Sequence, residues 1–223
     1  MTRARTAPTR TTHPTKRTSI VWMSFFAAMT IVTGLLMLKE SSSSGQGYLV
    51  AANLSMLNDT QAGDGILQTS VPLDLERWSG IVIHHSSEPA GDPESMRRLH
   101  ESQGLQGLGY HFLIGNGNGL GDGVIHVGYR WNEQLPGAHV AGPMGTLHNH
   151  HSIGICLIGN GDRRAFTEAQ MARLINLIQR LQRELNIPAD QIHLSRNLTE
   201  GTTSPGRFFS TAQLSEQLVV QPR

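Results

Sequence analysis

Residues 19–38, SIVWMSFFAAMTIVTGLLML, form a run of twenty positions without a charged side chain. Twenty residues of α-helix are about 30 Å long, which matches the hydrocarbon core of a bilayer. The run is apolar all round, unlike a helix that packs one face on a soluble core. It is also longer than the apolar region of a cleaved signal peptide, roughly 7–15 residues, and no small-residue cleavage site follows it. The sequence therefore predicts an uncleaved transmembrane signal anchor over residues 19–38.

The residues before this run set the expected orientation. Positions 1–18 contain five arginine or lysine residues and no acidic residue. Because cationic flanks stay on the cytoplasmic side of a membrane, we expect residues 1–18 to be a cytoplasmic tail. Residues 39–77 are expected to be a linker, since SSSSGQG near its start is typical of flexible chain. The protein is then a single-pass membrane protein whose residues 78–223 lie on the extracytoplasmic (periplasmic) side.

Overall charge and cysteine content narrow the function classes. The formal net charge is +1, which gives no electrostatic basis for binding nucleic acid. Cys156 is the single cysteine, so no disulfide can form within the chain. It lies in the apolar run SIGICLIG, and a small buried hydrophobic residue is the preferred interpretation over a nucleophile.

From Trp78 onward the sequence alternates between strand and helix patterns. Short β-branched runs predict strands, and the sequences are GIVIHH, YHFLIG, VIHVGY, SIGICLIG and QIHL. Helices are predicted for DPESMRRLHES, for residues 167–186 and for TAQLSEQLVV, and Thr167 with Gln170 forms a capping-box pattern. Elements interleaved in this way predict an α/β domain, with a mixed central β-sheet flanked by helices.

Histidines are the main candidates for chemistry. Ten of the eleven lie between His84 and His193. His84 and His85 end a predicted strand, where neighbouring side chains point to opposite faces. Catalytic zinc takes three protein ligands plus water, and the bare spacings do not identify three such residues. The tract LHNHHS at 147–152 is dense enough to bind zinc adventitiously.

Five fragments in register carry a resemblance. WSGIVIHHSS, GLGYHFLIG, GAHVAG, HNHHSIGICLIGN and SPGRFF together resemble the zinc-dependent N-acetylmuramoyl-L-alanine amidases of the amidase-2 type. The same superfamily contains the peptidoglycan recognition proteins and the amidase-type phage lysozymes. The resemblance covers about residues 78–209. It implies a mixed sheet flanked by helices, a groove for the glycan and stem peptide, and cleavage of the amide between N-acetylmuramic acid and L-alanine.

The resemblance also implies roles for individual residues. The first zinc ligand falls on His84, whereas the other two ligand positions fall on Ser195 and Ser204. The tyrosine that polarises the amide carbonyl falls on Tyr110, and the residue that supports the oxyanion falls on Thr202. The segment from Ser195 to Ser204 is one residue longer than the family pattern.

Other positions are expected to contact the substrate. These substrate-binding candidates are His85, Trp131, His139 and Asn149. For Trp131 a place in the core is an equally good interpretation. His193 is a candidate substitute ligand, although on a strand it is displaced from Ser195 by about 6–7 Å.

The serines favour one hypothesis over two others. A neutral hydroxyl is a poor zinc ligand, so zinc binding is expected to be weak or absent and hydrolysis lost or weak. The chain is then a membrane-anchored domain that recognises peptidoglycan, meaning muramyl peptides, and the silent peptidoglycan recognition proteins also carry Ser before PG. One alternative is an active amidase with a metal site rebuilt around His84, His193 and a nearby histidine. The other is an adaptor that binds a protein through the same groove.

Overall fold

A computed structural model describes residues 65–218. The predicted tail, the predicted anchor at 19–38 and most of the predicted linker lie outside the described residues. Among the helices of residues 65–218, none is long and apolar enough to cross a bilayer.

A five-stranded sheet forms the centre of the domain, in the order β3-β2-β4-β1-β5. β1 pairs in parallel with both β4 and β5, β2 pairs in parallel with β4, and β3 is antiparallel to β2. The mixed sheet is therefore confirmed, and the predicted hairpin of β2 and β3 is present. The strands are β1 (Gly80–His85), β2 (Phe112–Ile114), β3 (Ile125–Val127), β4 (Ser152–Leu157) and β5 (Ile192–Leu194).

Helices connect and cover these strands. They are α1 (Pro93–Ser102), α2 (Tyr129–Asn132), α3 (Gly145–His151), α4 (Glu168–Leu185) and α5 (Thr211–Gln217). Asp92 caps α1 and Thr167 caps α4, each through a reciprocal capping box with the residue three positions later. These caps satisfy backbone donors that a helix start leaves unpaired, which fixes where both helices begin. The histidine tract before β4, for which no element was predicted, forms α3.

The main hydrophobic core lies between the sheet and α4. The apolar stripe of α4 packs on the side chains of β1 and β4 that point to the same face, including Ile81, Ile83, Ile153 and Ile155. A smaller cluster on the opposite face of the sheet contains Cys156 and Met96 of α1. The sheet is thus covered on both faces, and its strand ends are left to form a cleft.

Candidate functional site

A cleft of about 240 Å³ opens where β1 ends. His84 and His85 reach it from the end of β1, and Tyr110 reaches it from the segment before β2. Ser195 follows β5, which lies beside β1 in the sheet, and Thr202 and Ser204 lie on the loop that follows. The fold therefore places at one cleft all five residues to which the resemblance assigns zinc or catalytic positions: His84, Tyr110, Ser195, Thr202 and Ser204.

His84 is hydrogen-bonded to a second histidine at the floor of this cleft. Its Nε2 atom lies 3.1 Å from Nδ1 of His139. His139 Nε2 lies 3.2 Å from the carbonyl oxygen of Ser152, which can only accept, so Nε2 carries a proton. In the neutral His139 ring Nδ1 is then the acceptor, and His84 Nε2–H is the donor. Burial lowers the pKa of His84 well below its usual range and lowers that of His139 to about 4.

His139 sits in a socket that two glycines and an asparagine form. A β-carbon at Gly137 or at Gly154 would collide with the His139 ring. The side chain of Asn149 accepts hydrogen bonds from the backbone N–H groups of His139 and Val140, at 2.8 and 2.9 Å, and donates one to the Val140 carbonyl. The absence of side chains at Gly137 and Gly154 therefore leaves room for the ring, and the hydrogen bonds of Asn149 fix the backbone of His139.

The two serines at the ligand positions are buried, and Ser204 is already engaged. Its hydroxyl accepts a hydrogen bond of 2.9 Å from the backbone N–H of His85. Its own backbone N–H donates to the Thr202 hydroxyl at 3.2 Å, and its carbonyl accepts from the N–H of Arg196 at 2.8 Å. These bonds join the end of β1, the segment after β5 and the Thr202–Ser204 loop.

The loop that carries Ser204 is braced by the segment after β4. The Asp162 carboxylate accepts hydrogen bonds from the Thr203 hydroxyl and from the backbone N–H of Arg207. These two bonds, the Thr203 one foremost, lower the pKa of Asp162. The backbone N–H of Gly161 donates to His85 Nδ1 at 3.0 Å. Asp162 and Gly161 thus connect the loop to β1 from outside the cleft.

The cleft walls add neutral imidazoles and a phenol. The Tyr110 ring lies 5.1 Å from the His84 ring and 5.1 Å from the His100 ring. Burial raises the pKa of Tyr110 and also that of Cys156, with which its hydroxyl shares a hydrogen bond. Cys156 is fully buried, which agrees with the interpretation of this thiol as a small core residue. His100 Nδ1 accepts from the N–H of Gly109 at 2.9 Å, so this ring is neutral as well.

The side chains at the cleft do not fit a zinc ion of the family type. Residues 65–218 hold no group of three or more His, Cys, Asp or Glu side chains arranged around a common point. Ser195 and Ser204 offer hydroxyls where zinc prefers imidazole, thiolate or carboxylate. The Ser204 hydroxyl also accepts a hydrogen bond from the backbone of β1, and His84 Nε2 is hydrogen-bonded to the His139 imidazole.

Comparison with known proteins decides the family. The family model for N-acetylmuramoyl-L-alanine amidase, amidase-2, matches residues 74–207. This chain belongs to the amidase-2 family. The matched range includes the sheet and every cleft residue described above.

Amidase-2 relatives of two kinds are similar in sequence. The endolysin of Escherichia phage T7 is 32% identical over 111 residues, which are 46% of this chain and 66% of the endolysin. The endolysin of Enterobacteria phage T3 is 36% identical over 106 residues, or 44% of this chain and 62% of the endolysin. Peptidoglycan-recognition protein SC2 of Drosophila melanogaster is 32% identical over 137 residues, covering 57% and 68% of the two chains. The chain thus covers just under two thirds of the length of these phage endolysins.

Solved amidase-2-like structures share the fold. The endolysin amidase LysCS from Clostridium intestinale matches with a TM-score of 0.56 and 28% identity, over 69% of this chain and 92% of that one. Bumblebee PGRP-SA matches with a TM-score of 0.52 and 26% identity, over 70% and 92%. PGRP-LE in complex with tracheal cytotoxin, a monomeric diaminopimelic acid-type peptidoglycan, matches with a TM-score of 0.50 and 26% identity, over 66% and 86%.

Three of the residues proposed for ligand contact lie away from the amidase-2 cleft. Trp131 is fully buried in the core against Trp78 and Phe112, which is the core alternative given for this residue. Asn149 does not line the cleft, because its amide is used to hold the His139 backbone. His193 packs its ring 5.3 Å from that of His148 and is not among the residues that line the cleft.

One wall of the amidase-2 cleft was missing from the sequence-based prediction. It is the face of α1 that carries Met96, Leu99 and His100, continued by Gln103 directly after the helix. These positions follow the i, i+3, i+4, i+7 spacing of one helix face, and that spacing is the signal that could have marked them. The pattern alone does not tell a core face from a cleft wall, because both are apolar with occasional polar groups.

Proposed function

We propose that this chain is a membrane-anchored protein that recognises peptidoglycan through the cleft of its amidase-2 domain, with hydrolysis lost or weak. The observation that carries the proposal is the state of the two serines. Ser195 and Ser204, to which the resemblance assigns two zinc-ligand positions, line the cleft, and the Ser204 hydroxyl accepts a hydrogen bond from the backbone N–H of His85. Membership of the family and the muramyl peptide bound to the similar PGRP-LE support peptidoglycan as the ligand.

The loss of hydrolysis follows from what zinc supplies in this family. A bound zinc ion lowers the pKa of its water and polarises the amide carbonyl. The residues present do not build a site for that ion, so both contributions are weak or absent in the proposed function. What the chain retains is a set of hydrogen-bonding groups. Tyr110 and Thr202 are then ligand-binding groups instead of catalytic ones.

An active amidase is the second candidate, and one observation favours it. The 3.1 Å between His84 Nε2 and His139 Nδ1 is close to the roughly 3.3 Å that two nitrogens on one tetrahedral zinc ion adopt. Among residues 65–218, no third His, Cys, Asp or Glu side chain joins this pair around a common point, and the nearby serines offer only hydroxyls. This candidate therefore depends on a two-histidine site.

Metal content and binding to sacculi separate the candidates. The full chain, purified in detergent, is analysed for zinc by elemental analysis, then incubated with purified peptidoglycan sacculi and sedimented. Recognition without hydrolysis predicts substoichiometric zinc, co-sedimentation that EDTA leaves unchanged, and no release of stem peptides. Stoichiometric zinc with EDTA-sensitive release of stem peptides would establish the amidase instead. Failure to sediment would favour the protein-binding adaptor.

The anchor and the domain limits belong to the same proposal. The uncharged run at 19–38 and the basic tail at 1–18 support a single span with a cytoplasmic N-terminus. Residues 39–77 then connect the membrane to the domain at 78–223. Tethering of this kind would hold the cleft within reach of the cell wall on the periplasmic side.

A further inference from the structure

The cleft is lined without a single permanently ionic side chain among the described residues. Its lining contains no Asp, Glu, Lys or Arg. It consists of hydroxyl groups, apolar side chains, the Gln103 amide and the imidazoles of His84, His85, His100 and His139. The site therefore offers hydrogen bonds and apolar contact but no counter-charge.

Hydrogen bonding shows that imidazoles of the lining are neutral too. His85 Nδ1 and His100 Nδ1 each accept a hydrogen bond from a backbone N–H group, at 3.0 and 2.9 Å. A nitrogen that accepts carries no proton, so neither ring is an imidazolium. In the pair of His84 and His139 one ring must accept from the other, so this pair cannot hold two positive charges.

Two charged residues near the cleft, Arg196 and Asp162, direct their side chains to other partners. Arg196 follows Ser195, but its guanidinium donates to the Gly206 carbonyl and the Thr211 hydroxyl. The Asp162 carboxylate accepts hydrogen bonds from the Thr203 hydroxyl and the Arg207 N–H, and it does not line the cleft. A charged ligand group that enters the cleft therefore loses water without gaining an ionic partner, which is strongly unfavourable.

Resting on the proposed function, we propose that the cleft binds the intact amide between N-acetylmuramic acid and L-alanine and rejects the two fragments that hydrolysis of this amide leaves. Hydrolysis adds one water across the C–N bond. The lactyl group of the sugar becomes a carboxylate, and the alanine nitrogen becomes an ammonium at neutral pH. Both new charges lie at the point of cleavage, whereas the intact amide is neutral and presents one donor and one acceptor.

This selectivity gives the protein a place in a reaction sequence. Its ligand is the substrate of an amide hydrolase, and its affinity is lost when such an enzyme has acted. A non-hydrolysing domain with this preference would remain on uncut wall and leave wall from which stem peptides have been removed.

Matched neutral and charged fragments test the proposal. Binding of the full chain in detergent is measured by calorimetry for N-acetylmuramoyl-L-alanyl-D-isoglutamine and for its two hydrolysis products. The same is done for capped products, the methylamide of N-acetylmuramic acid and N-acetyl-L-alanyl-D-isoglutamine, which have nearly the same size but no charge at the cut ends. Each capped fragment is expected to bind at least about tenfold more tightly than its charged counterpart. Capped fragments that bind no better than charged ones, at any absolute affinity, would overturn the proposal.

A charge placed in the cleft provides a second test. Thr202→Lys should raise the affinity for the free N-acetylmuramic acid carboxylate by about tenfold relative to its methylamide, because the ammonium supplies the missing partner. Thr202→Met, of similar length without the charge, should leave the ratio as in the parent. Equal ratios in the two variants would contradict the proposal. If the parent binds neither the intact dipeptide nor sacculi, the proposed function itself fails, and the two failures are thereby distinguished.

Discussion

His84 Nε2 and His139 Nδ1 lie 3.1 Å apart, so His84, to which the resemblance assigns the first zinc-ligand position, donates a hydrogen bond to another histidine. The two residues are 55 positions apart in the chain and meet at the floor of the cleft. This contact holds the His84 ring in place by a hydrogen bond between neutral groups.

Replacement of His139 should therefore loosen the cleft. His139→Ala removes the partner of His84 and leaves an imidazole-sized hole above Gly154, so we expect a loss of about 1–3 kcal/mol in the free energy of unfolding. Co-sedimentation with sacculi should fall in parallel. Denaturant titration and sedimentation measure the two effects. His150→Ala is the matched control, since that ring is exposed on α3; equal effects of both changes would count against the role of the pair.

The zinc site should be recoverable by two substitutions. Ser195→His with Ser204→Cys adds an imidazole and a thiolate to His84, which gives three protein ligands and an open position. We expect the full chain with both changes to bind zinc stoichiometrically and to gain weak EDTA-sensitive release of stem peptides. The longer Ser195–Ser204 segment and the lost acceptor for the His85 N–H both work against high activity.

Single variants serve as the controls for this experiment. Ser195→His alone and Ser204→Cys alone each supply one further ligand, so both should bind zinc more weakly than the double variant. Zinc in the unaltered chain at the same level as in the double variant would refute the interpretation of the serines as a lost site.

Asp162 should matter for binding although it lies outside the cleft. Asp162→Ala removes the acceptor of the Thr203 hydroxyl and the Arg207 N–H, so the loop that carries Thr202 and Ser204 should become mobile. We expect faster hydrogen exchange at the Arg207 amide and a severalfold weaker affinity for muramyl dipeptide. Asp162→Asn keeps one acceptor oxygen and should recover part of the affinity.

A charge-matched control accompanies these variants. Glu216→Ala removes an exposed carboxylate of α5 and should change neither exchange nor affinity. If Asp162→Ala leaves hydrogen exchange and affinity unchanged, as this control should, the hydrogen bonds of Asp162 do not position the loop.

Buried neutral histidines predict a stability that falls in acid. Burial lowers the pKa of His111 to about 3 and that of His139 to about 4, whereas histidine in an unfolded chain has a pKa of about 6.5. Below pH 6.5 the unfolded chain takes up protons that the folded chain does not, so the free energy of unfolding decreases as the pH falls toward about 4. Thermal unfolding from pH 7.5 to 4.5 should show a steady decrease in Tm.

The His111→Gln variant should show a shallower decrease, because one of the responsible groups is gone. A Tm that stays constant between pH 7.5 and 5 in the parent chain would contradict the assignment of neutral rings.

The orientation of the chain is open to a direct test. If residues 1–18 are cytoplasmic and residues 39–223 lie on the extracytoplasmic side, protease added to spheroplasts should digest the domain. A cytoplasmic protein serves as the control for intact cells. Complete protection of the domain in spheroplasts, with digestion after lysis, would reverse the predicted orientation.

Most of the fold followed from local patterns in the sequence. The capping boxes at Asp92 and Thr167, the stripe of α4 and the β-branched runs each concern residues a few positions apart, so they could be interpreted without the tertiary structure. The arrangement at the cleft could not. The contact of His84 with His139 depends on a loop path that Asn149 fixes, and no spacing in the sequence encodes that path.

Trp131 is a second residue whose position could not be predicted from local sequence patterns. A tryptophan near the GAHVAG segment suits a sugar contact or a core position equally well by composition. The short helix α2 turns this side chain inward against Trp78, which only the packing of distant elements determines.

The socket beneath His139 has a consequence for how this cleft can vary. Gly154 lies in β4, between two neighbouring strands, and its missing side chain is what admits the imidazole. Any larger residue at position 154 or 137 expels the ring, and any smaller residue at 139 leaves a hole in the middle of the sheet. The residues at positions 137, 139 and 154 are therefore coupled through their packing. A single substitution at one of these positions should therefore disturb the packing of the other two, and tolerated changes should lie on the rim of the cleft and not beneath His139.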